Sequence, residues 1–202
     1  MRWITVATNL SQVISASEFN EIMVAISQAP LSCGQSTVIA IDGPAGSGKT
    51  SLASRISEQL AAMDKSSATI HMDDLYHGWS DALGATLTQK IEQSVIPGLA
   101  SGQVYHLPRF DWNEGKEGGL RTYLPSEIVL IEGVGAGQRS LRNCVALLIW
   151  IEVPDELGLE RVLSRDGSEI SALMEQFQID QAAHFLQEGT AQAAEFRLNG
   201  AP

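Results

Sequence analysis

The most constraining feature of this sequence is a glycine-rich segment, GPAGSGKT, at residues 43–50. It fits the pattern G-x-x-x-x-G-K-[ST] at every fixed position, between a short apolar run ending at Asp42 and a helical pattern beginning at Lys49. Glycines let such a loop bring its N–H groups close to oxygen atoms, and the following helix adds the positive end of its dipole. The order strand, glycine-rich loop, helix therefore predicts a phosphate-binding loop (P-loop) that opens an α/β sheet.

The chemistry of the motif predicts what each part of the P-loop binds. Lys49 is expected to reach the β- and γ-phosphates of ATP, and the Thr50 hydroxyl is expected to help hold Mg²⁺. The predicted nucleotide-binding residues are Gly43, Pro44, Ala45, Gly46, Ser47, Gly48, Lys49, Thr50 and Ser51. A glycine-rich turn without a ligand is the alternative, and the strand before and the helix after the loop argue against it.

Length and charge restrict the partners. The 202 residues fit one domain, or one domain with a small lid. The net charge of −11 argues against nucleic acid, because phosphate backbones require clustered Lys and Arg. The longest apolar run, residues 145–151, is too short to cross a bilayer, and no targeting segment is evident. We expect a cytoplasmic protein that acts on a small molecule and binds neither nucleic acid nor membrane; a homo-oligomer is compatible with the sequence.

Two cysteines, Cys33 and Cys144, lie far apart in the sequence and lack the spacing of a metal site. They are predicted to be free thiols. The four histidines likewise form no metal motif.

Strand and helix patterns alternate along the chain. The strand-like runs are residues 37–42, 69–72, 128–131, 145–151 and 196–198. The helical patterns are residues 17–28 with Ser17 as candidate N-cap, the segment from Lys49, and residues 83–94, 155–166 and 170–187. The alternation predicts a three-layer α/β fold with a mostly parallel sheet, whose ligands bind beyond the carboxyl ends of the strands. Residues 1–202 would form one domain, with residues 1–36 as an N-terminal extension.

Carboxylates follow two of the predicted strands. Asp73 and Asp74 come after the second strand, and Glu132 ends the third. Either aspartate could accept the proton of a substrate hydroxyl or help hold a metal ion, and a helix N-cap or a turn explains the pair equally well. Glu132 is a candidate for the Mg²⁺ shell; a strand-terminal turn residue is its alternative.

Arg161 and Arg165 lie four residues apart, on one face of a predicted helix. Arginine is the usual partner for charge that develops on a transferring phosphoryl group, although a solvated helix face accounts for such a pair as well. We interpret residues 161–168 as a small helical lid.

Taken together, these segments resemble the uridine kinase family, which is related to phosphoribulokinase and pantothenate kinase. The resemblance runs from about residue 37 to residue 166. Beyond the P-loop it rests on four segments: MDDLY at 72–76, GQVYHLPRFDW at 102–112, LIEG at 130–133, and the pair Arg165–Asp166.

The resemblance implies roles for individual residues. It makes Asp73, rather than Asp74, the catalytic base, and Tyr76, Phe110 and Asp111 substrate contacts. Phe110 stands where the family has a tyrosine. The stretch between residues 76 and 102 is shorter than in the family and lacks its ribose-binding motif, so that Asp81 is the nearby acid available for that role. The lid after residue 166 is brief and acidic.

The sequence thus predicts an ATP- and Mg²⁺-dependent phosphotransferase acting on a hydroxyl of a small metabolite, with a nucleoside such as uridine or cytidine as first choice. A kinase for a nucleoside monophosphate, pantothenate or a sugar is one alternative, and a regulatory P-loop ATPase or switch is another. A guanine-binding N-K-x-D motif is absent from the sequence, which argues against a GTPase.

Overall fold

A computed structural model describes residues 14–112 and 114–200. The helices are Ala16–Gln28 (α1), Lys49–Ala62 (α2), Met72–Leu75 (α3), Ala85–Lys90 (α4), Ile96–Ser101 (α5), Arg139–Arg142 (α6), Asp155–Asp166 (α7), Ser171–Glu188 (α8) and Thr190–Ala193 (α9). The strands are Thr37–Asp42 (β1), Ser67–His71 (β2), Tyr105–Asp111 (β3), Lys116–Tyr123 (β4), Ile128–Glu132 (β5), Leu147–Glu152 (β6) and Phe196–Asn199 (β7). A π-helical stretch, Ile91–Val95, joins α4 to α5, and short 3₁₀ turns lie at Trp79–Asp81 and Ser168–Ile170.

Five strands form a parallel sheet in the order β2-β5-β1-β6-β7. The side chains of β1 alternate between two cores: Val38 and Ala40 face one, and Ile39 and Ile41 face the other. Because helices cover both faces, the strand is apolar along almost its whole length. The predicted three-layer α/β fold with a mostly parallel sheet is therefore confirmed.

The helix that precedes β1 begins at Ala16, earlier than the start at residue 17 that the sequence predicted. Ser15, not Ser17, is the N-cap of α1, because Ser15 forms a capping box with Glu18. The Ser15 hydroxyl accepts from the Glu18 N–H, and the Glu18 carboxylate accepts from the Ser15 N–H at 2.9 Å. The Ser17 hydroxyl instead donates to Glu21.

Between β2 and β5 the secondary structure differs more from the sequence-based prediction. The second strand ends at His71 rather than at residue 72, because Met72 already opens α3. The helix predicted over residues 83–94 extends through the π-helical stretch to Ser101. It is followed by an antiparallel hairpin of β3 and β4, whose strands the sequence analysis did not identify. This hairpin packs on α3, next to the carboxyl ends of the parallel strands.

Within the described ranges 14–112 and 114–200, no helix is both long enough and apolar enough to be a membrane span.

Helix α7 packs directly against the P-loop through Gly158. A Cβ atom built on Gly158 would lie 2.5 Å from the carbonyl oxygen of Ala45, and one built on Gly46 would lie 2.3 Å from the Gly158 carbonyl oxygen. Only glycine at both positions lets the two backbones approach so closely. The P-loop is therefore supported from outside by the helix that carries the predicted lid arginines.

We predict that Gly158→Ala lowers the free energy of unfolding by about 1–3 kcal/mol, because the added methyl group meets P-loop backbone. This contact should outweigh the helix propensity gained, which is at most about 1 kcal/mol. Chemical denaturation measures the difference, with Glu156→Ala at an exposed position of α7 as the control. A Gly158→Ala protein as stable as the wild type would show that this contact is not tight.

Candidate active site

Lys49, the invariant lysine of the motif, is buried beneath its own loop. Its ammonium donates to the carbonyl oxygens of Gly43, at 2.8 Å, and Pro44, at 2.7 Å. Burial lowers the pKa of Lys49, while the nearby carboxylates of Glu132, Asp42 and Asp73 act in the opposite direction. The ammonium group that we expect to bind phosphates therefore lies within electrostatic reach of the carboxylates of Glu132, Asp42 and Asp73.

Asp42 is a site residue that the sequence analysis missed. It is fully buried at the end of β1, and its carboxylate accepts N–H bonds from Gly43 at 2.7 Å, Gly135 at 3.0 Å and Gly137 at 2.8 Å. Burial raises the pKa of Asp42 to about 6, against the effect of these donors and of Lys49. The carboxylate thus ties the P-loop to the glycine-rich loop after β5. The sequence did contain a signal for this residue, because Asp42 is a charged residue at the end of the otherwise apolar run TVIAID.

We predict that Asp42→Asn destabilises the protein by about 1–3 kcal/mol, because the amide turns a donor towards N–H groups that have no other acceptor. Thermal or denaturant unfolding measures the loss. Asp64→Asn is a suitable control because Asp64 is exposed, in the turn after α2. Unchanged stability would mean that the two loops are held together without this carboxylate.

Thr50, Glu132 and His71 form a second group at the carboxyl edge of the sheet. The Thr50 hydroxyl lies 3.1 Å from both carboxylate oxygens of Glu132, which is buried. Nδ1 of His71 lies 2.5 Å from Oε1 of Glu132, and this hydrogen bond raises the pKa of His71. A hydroxyl and a carboxylate are oxygen donors of the kind that Mg²⁺ prefers, so the residues fit the predicted ion.

Asp73 lies in the first turn of α3, immediately after β2. More than a third of the residue is exposed, and the surrounding protein still partly desolvates its carboxyl group. This desolvation, together with the negative charge of Glu132, raises the pKa of Asp73 to about 6; Lys49 and Arg165 lower it. The structure therefore brings Asp73 into electrostatic reach of the P-loop lysine, Glu132 and one of the two predicted arginines.

The neighbouring Asp74 has other partners. Its carboxylate pairs with Nη1 of Arg121 at 2.8 Å and with Nε of Arg109 at 3.4 Å, both on the β3–β4 hairpin. It therefore holds the hairpin against α3. This geometry agrees with the choice of Asp73 over Asp74 as the candidate base.

The two predicted lid arginines are not equivalent. Arg161 donates to the carbonyl oxygens of Gly46, at 3.2 Å, and Gly200, at 2.7 Å, so its guanidinium holds the P-loop backbone to the end of the sheet. Arg165 forms an ion pair with Asp166 at 2.7 Å and acts electrostatically on Asp73 and Glu132. The structure thus brings Arg165, and not the Arg161 side chain, towards the carboxylates.

An aromatic cluster borders Asp73. The indole N–H of Trp112 donates to the backbone carbonyl of Asp73 at 3.1 Å. The Trp112 ring meets Trp79 at 5.2 Å and Phe110 at 5.1 Å between ring centroids, each edge to face. Phe177 of α8 packs on Trp79 from the other side. Trp112 directly follows β3, so its contact with Trp79 depends on the position of the hairpin.

The other predicted substrate contacts have structural partners. The Tyr76 hydroxyl is buried and donates to the Val134 carbonyl at 2.8 Å, so only its ring is directed at Trp112. The Asp111 carboxylate accepts from the Glu114 N–H at 3.1 Å, within the hairpin turn. Asp81 lies over Gly84, where a built Cβ would overlap its carboxylate. Their roles towards a substrate remain predictions.

Comparison with known proteins finds similarity to kinases. No protein-family model matches the chain. The uridine kinase of Macrococcus caseolyticus is 26% identical over 157 residues, which cover 70% of this chain and 74% of that protein. The uridine kinase of Borrelia turicatae is 24% identical over 156 residues, which cover 69% and 74%.

The fold comparison agrees. A possible uridine kinase from Bacillus stearothermophilus superposes with a TM-score of 0.66 at 20% identity, covering 89% of this chain and 96% of that one. A candidate fructose transport system kinase from Silicibacter gives a TM-score of 0.70 at 17% identity, covering 89% and 98%. The chain is therefore similar in sequence to proteins named uridine kinase, and it shares its fold with these kinase structures.

Proposed function

We propose that this protein is an ATP- and Mg²⁺-dependent kinase that phosphorylates a hydroxyl group of a small metabolite, with a nucleoside such as uridine or cytidine as the acceptor. The observation that carries the proposal is that Asp73 lies within electrostatic reach of Lys49, Glu132 and Arg165, beside an aromatic cluster that contacts its backbone. Relatives named uridine kinase support a small-molecule kinase.

The P-loop and Lys49 supply the phosphate site in this proposal. Backbone N–H groups of the loop and the start of α2 bind the ATP phosphates, and the Lys49 ammonium bonds to phosphate oxygens in place of the carbonyls of Gly43 and Pro44. Thr50 and Glu132 would hold Mg²⁺, which when bound neutralises charge on the phosphates. Asp42 keeps the loop in position throughout.

Asp73 supplies the base. Its pKa of about 6 means that the carboxylate is mainly ionised at neutral pH, yet basic enough to accept the proton of an acceptor hydroxyl. The Trp112 indole N–H donates to the Asp73 backbone carbonyl at 3.1 Å, which ties the main chain at this position to the end of β3. Arg165 stabilises negative charge on the phosphoryl group as it moves.

The aromatic cluster is the part of the site that favours a nucleoside. Trp79 and Trp112, with the buried Phe110 behind Trp112, form an apolar wall next to the candidate base, and flat heterocycles stack on exposed rings of this kind. A nucleobase stacked on these rings would place the hydroxyl of its attached sugar towards the Asp73 carboxylate. The named relatives agree with this acceptor class.

A kinase for another small metabolite, such as a nucleoside monophosphate, pantothenate or a sugar, is the second candidate. Phe110 favours it, because a buried phenyl ring offers no hydroxyl to recognise a substrate. A site that lacks such a polar group discriminates differently among acceptors.

We predict that Asp73→Asn lowers turnover by about 10²–10⁴-fold while ATP binding stays close to that of the wild type, because the amide cannot accept the hydroxyl proton. The measurement is ADP release from ATP and Mg²⁺ with a panel of nucleosides, nucleoside monophosphates, pantothenate and sugars. Asp74→Asn is the matched control and should lose far less, since Asp74 pairs with the hairpin arginines.

The same assay includes a pH profile. Wild-type turnover should rise as the pH increases through about 6 and then level off, because Asp73 must lose its proton to act as base. Acceptor-dependent ADP release that Asp73→Asn leaves unchanged would overturn the role of Asp73. ADP release that ignores every acceptor would indicate an ATPase or a regulatory switch instead.

A further inference from the structure

We propose that His71 is a positioning residue that fixes the Glu132 carboxylate for the metal ion. The inference rests on the proposed function, in which Thr50 and Glu132 hold Mg²⁺. Nothing in the sequence motifs assigns a role to this histidine.

The register of the sheet creates the pair. His71 is the last residue of β2 and Glu132 the last residue of β5, and the two are direct partners in the parallel ladder. Neighbouring residues in register project from the same face of a sheet, so the imidazole and the carboxylate meet at its carboxyl edge. The distance of 2.5 Å between Nδ1 and Oε1 makes this a strong hydrogen bond.

The hydrogen bond from His71 restricts the orientation of the Glu132 carboxylate. The carboxylate is buried and receives the Thr50 hydroxyl at 3.1 Å from each oxygen, while His71 engages Oε1. With Oε1 held by the imidazole, the orientation of the carboxylate plane is set and Oε2 remains for the ion or its water. Partners of this kind outside the ligand shell typically change metal affinity or activity by about 10–100-fold when removed.

The experiment measures binding of a fluorescent ATP analogue while Mg²⁺ is titrated. His71→Leu should raise the Mg²⁺ concentration at the binding midpoint by about 10-fold or more and leave affinity for the analogue in EDTA unchanged. His71→Asn, whose amide nitrogen can take the place of Nδ1, should restore most of the effect. His106→Leu on the hairpin, where the imidazole contacts Thr122, is the control.

The outcomes separate this inference from the proposed function. An unchanged Mg²⁺ midpoint in His71→Leu would falsify it, and so would equal losses in EDTA and in Mg²⁺, which indicate a damaged P-loop. His71→Asn behaving like His71→Leu would also overturn it, because the hydrogen bond would then not be what matters. If the wild-type protein bound the analogue with Mg²⁺ but released no ADP with any acceptor, the proposed function itself would fail while this inference would stand on the shift of the midpoint.

A second inference concerns the amino ends of the strands, where Cys33 precedes β1 and Cys144 precedes β6. We infer that these two cysteines form an intramolecular disulfide under oxidising conditions. The two free thiols lie with their sulfur atoms 3.1 Å apart, although 111 residues separate them in the sequence. Ser32 holds the two segments in place, since its hydroxyl donates to the Cys144 carbonyl at 2.7 Å and accepts from the Val38 N–H at 3.0 Å.

The reaction is exchange with a small-molecule disulfide. Cys144 is the more exposed thiol, while burial and the neighbouring sulfur raise the pKa of Cys33 to about 12. The Cys144 thiolate attacks the reagent, releasing one small thiol and forming a mixed disulfide. The Cys33 sulfur then attacks the Cys144 sulfur, which forms the bond and releases the second small thiol. Two protons and two electrons pass to the reagent.

The test treats the native protein with oxidised glutathione. We expect a monomer that has lost two hydrogens by mass spectrometry, melts about 5–10 °C higher and returns to its original state with dithiothreitol. Cys144→Ser should show none of these changes. Thiols that stay free in the native protein while a denatured sample is oxidised would overturn the inference, as would disulfide-linked dimers.

Discussion

The site depends on the buried carboxylate of Asp42. It collects N–H groups from the P-loop and from the glycine-rich loop after β5, and it lies close to Lys49. The main-chain donors offset part of the cost of burying a charge, although burial still raises the pKa of Asp42 to about 6. Without this contact the two loops that frame the phosphate site would have no direct link at that point.

Positive and negative groups near the Asp42 carboxylate have opposite effects on the pKa of Asp73. Lys49 and Arg165 lie close enough to Asp73 to lower its pKa, while desolvation and Glu132 raise it. The result is a carboxylate whose proton affinity suits exchange near neutral pH. A chain with a net charge of −11 can therefore bind polyphosphate, because the local field at the P-loop, rather than the total charge, determines anion binding.

In the proposed function, the β3–β4 hairpin forms the acceptor side of the crevice. Ion pairs connect it to α3 through Asp74, and Lys90 near the end of α4 pairs with Glu117 of the hairpin at 2.5 Å. These contacts place Phe110 and Trp112 beside the candidate base. The contacting charges are partly exposed, so these ion pairs contribute modestly. The buried side chains of Tyr105, Leu107 and Tyr123 also anchor the hairpin in the main hydrophobic core.

The sequence by itself determined the P-loop, the strands on both sides of it, the parallel α/β fold and the acids that follow the strands, because these are encoded in local patterns. The tertiary structure decided the pairing of Asp74 with the hairpin arginines, the hydrogen bonds of Arg161 to backbone carbonyls, the His71–Glu132 bond and the approach of Cys33 to Cys144. Each requires the register between strands or the placement of the hairpin. Those depend on packing between residues distant in the chain, which no local pattern contains.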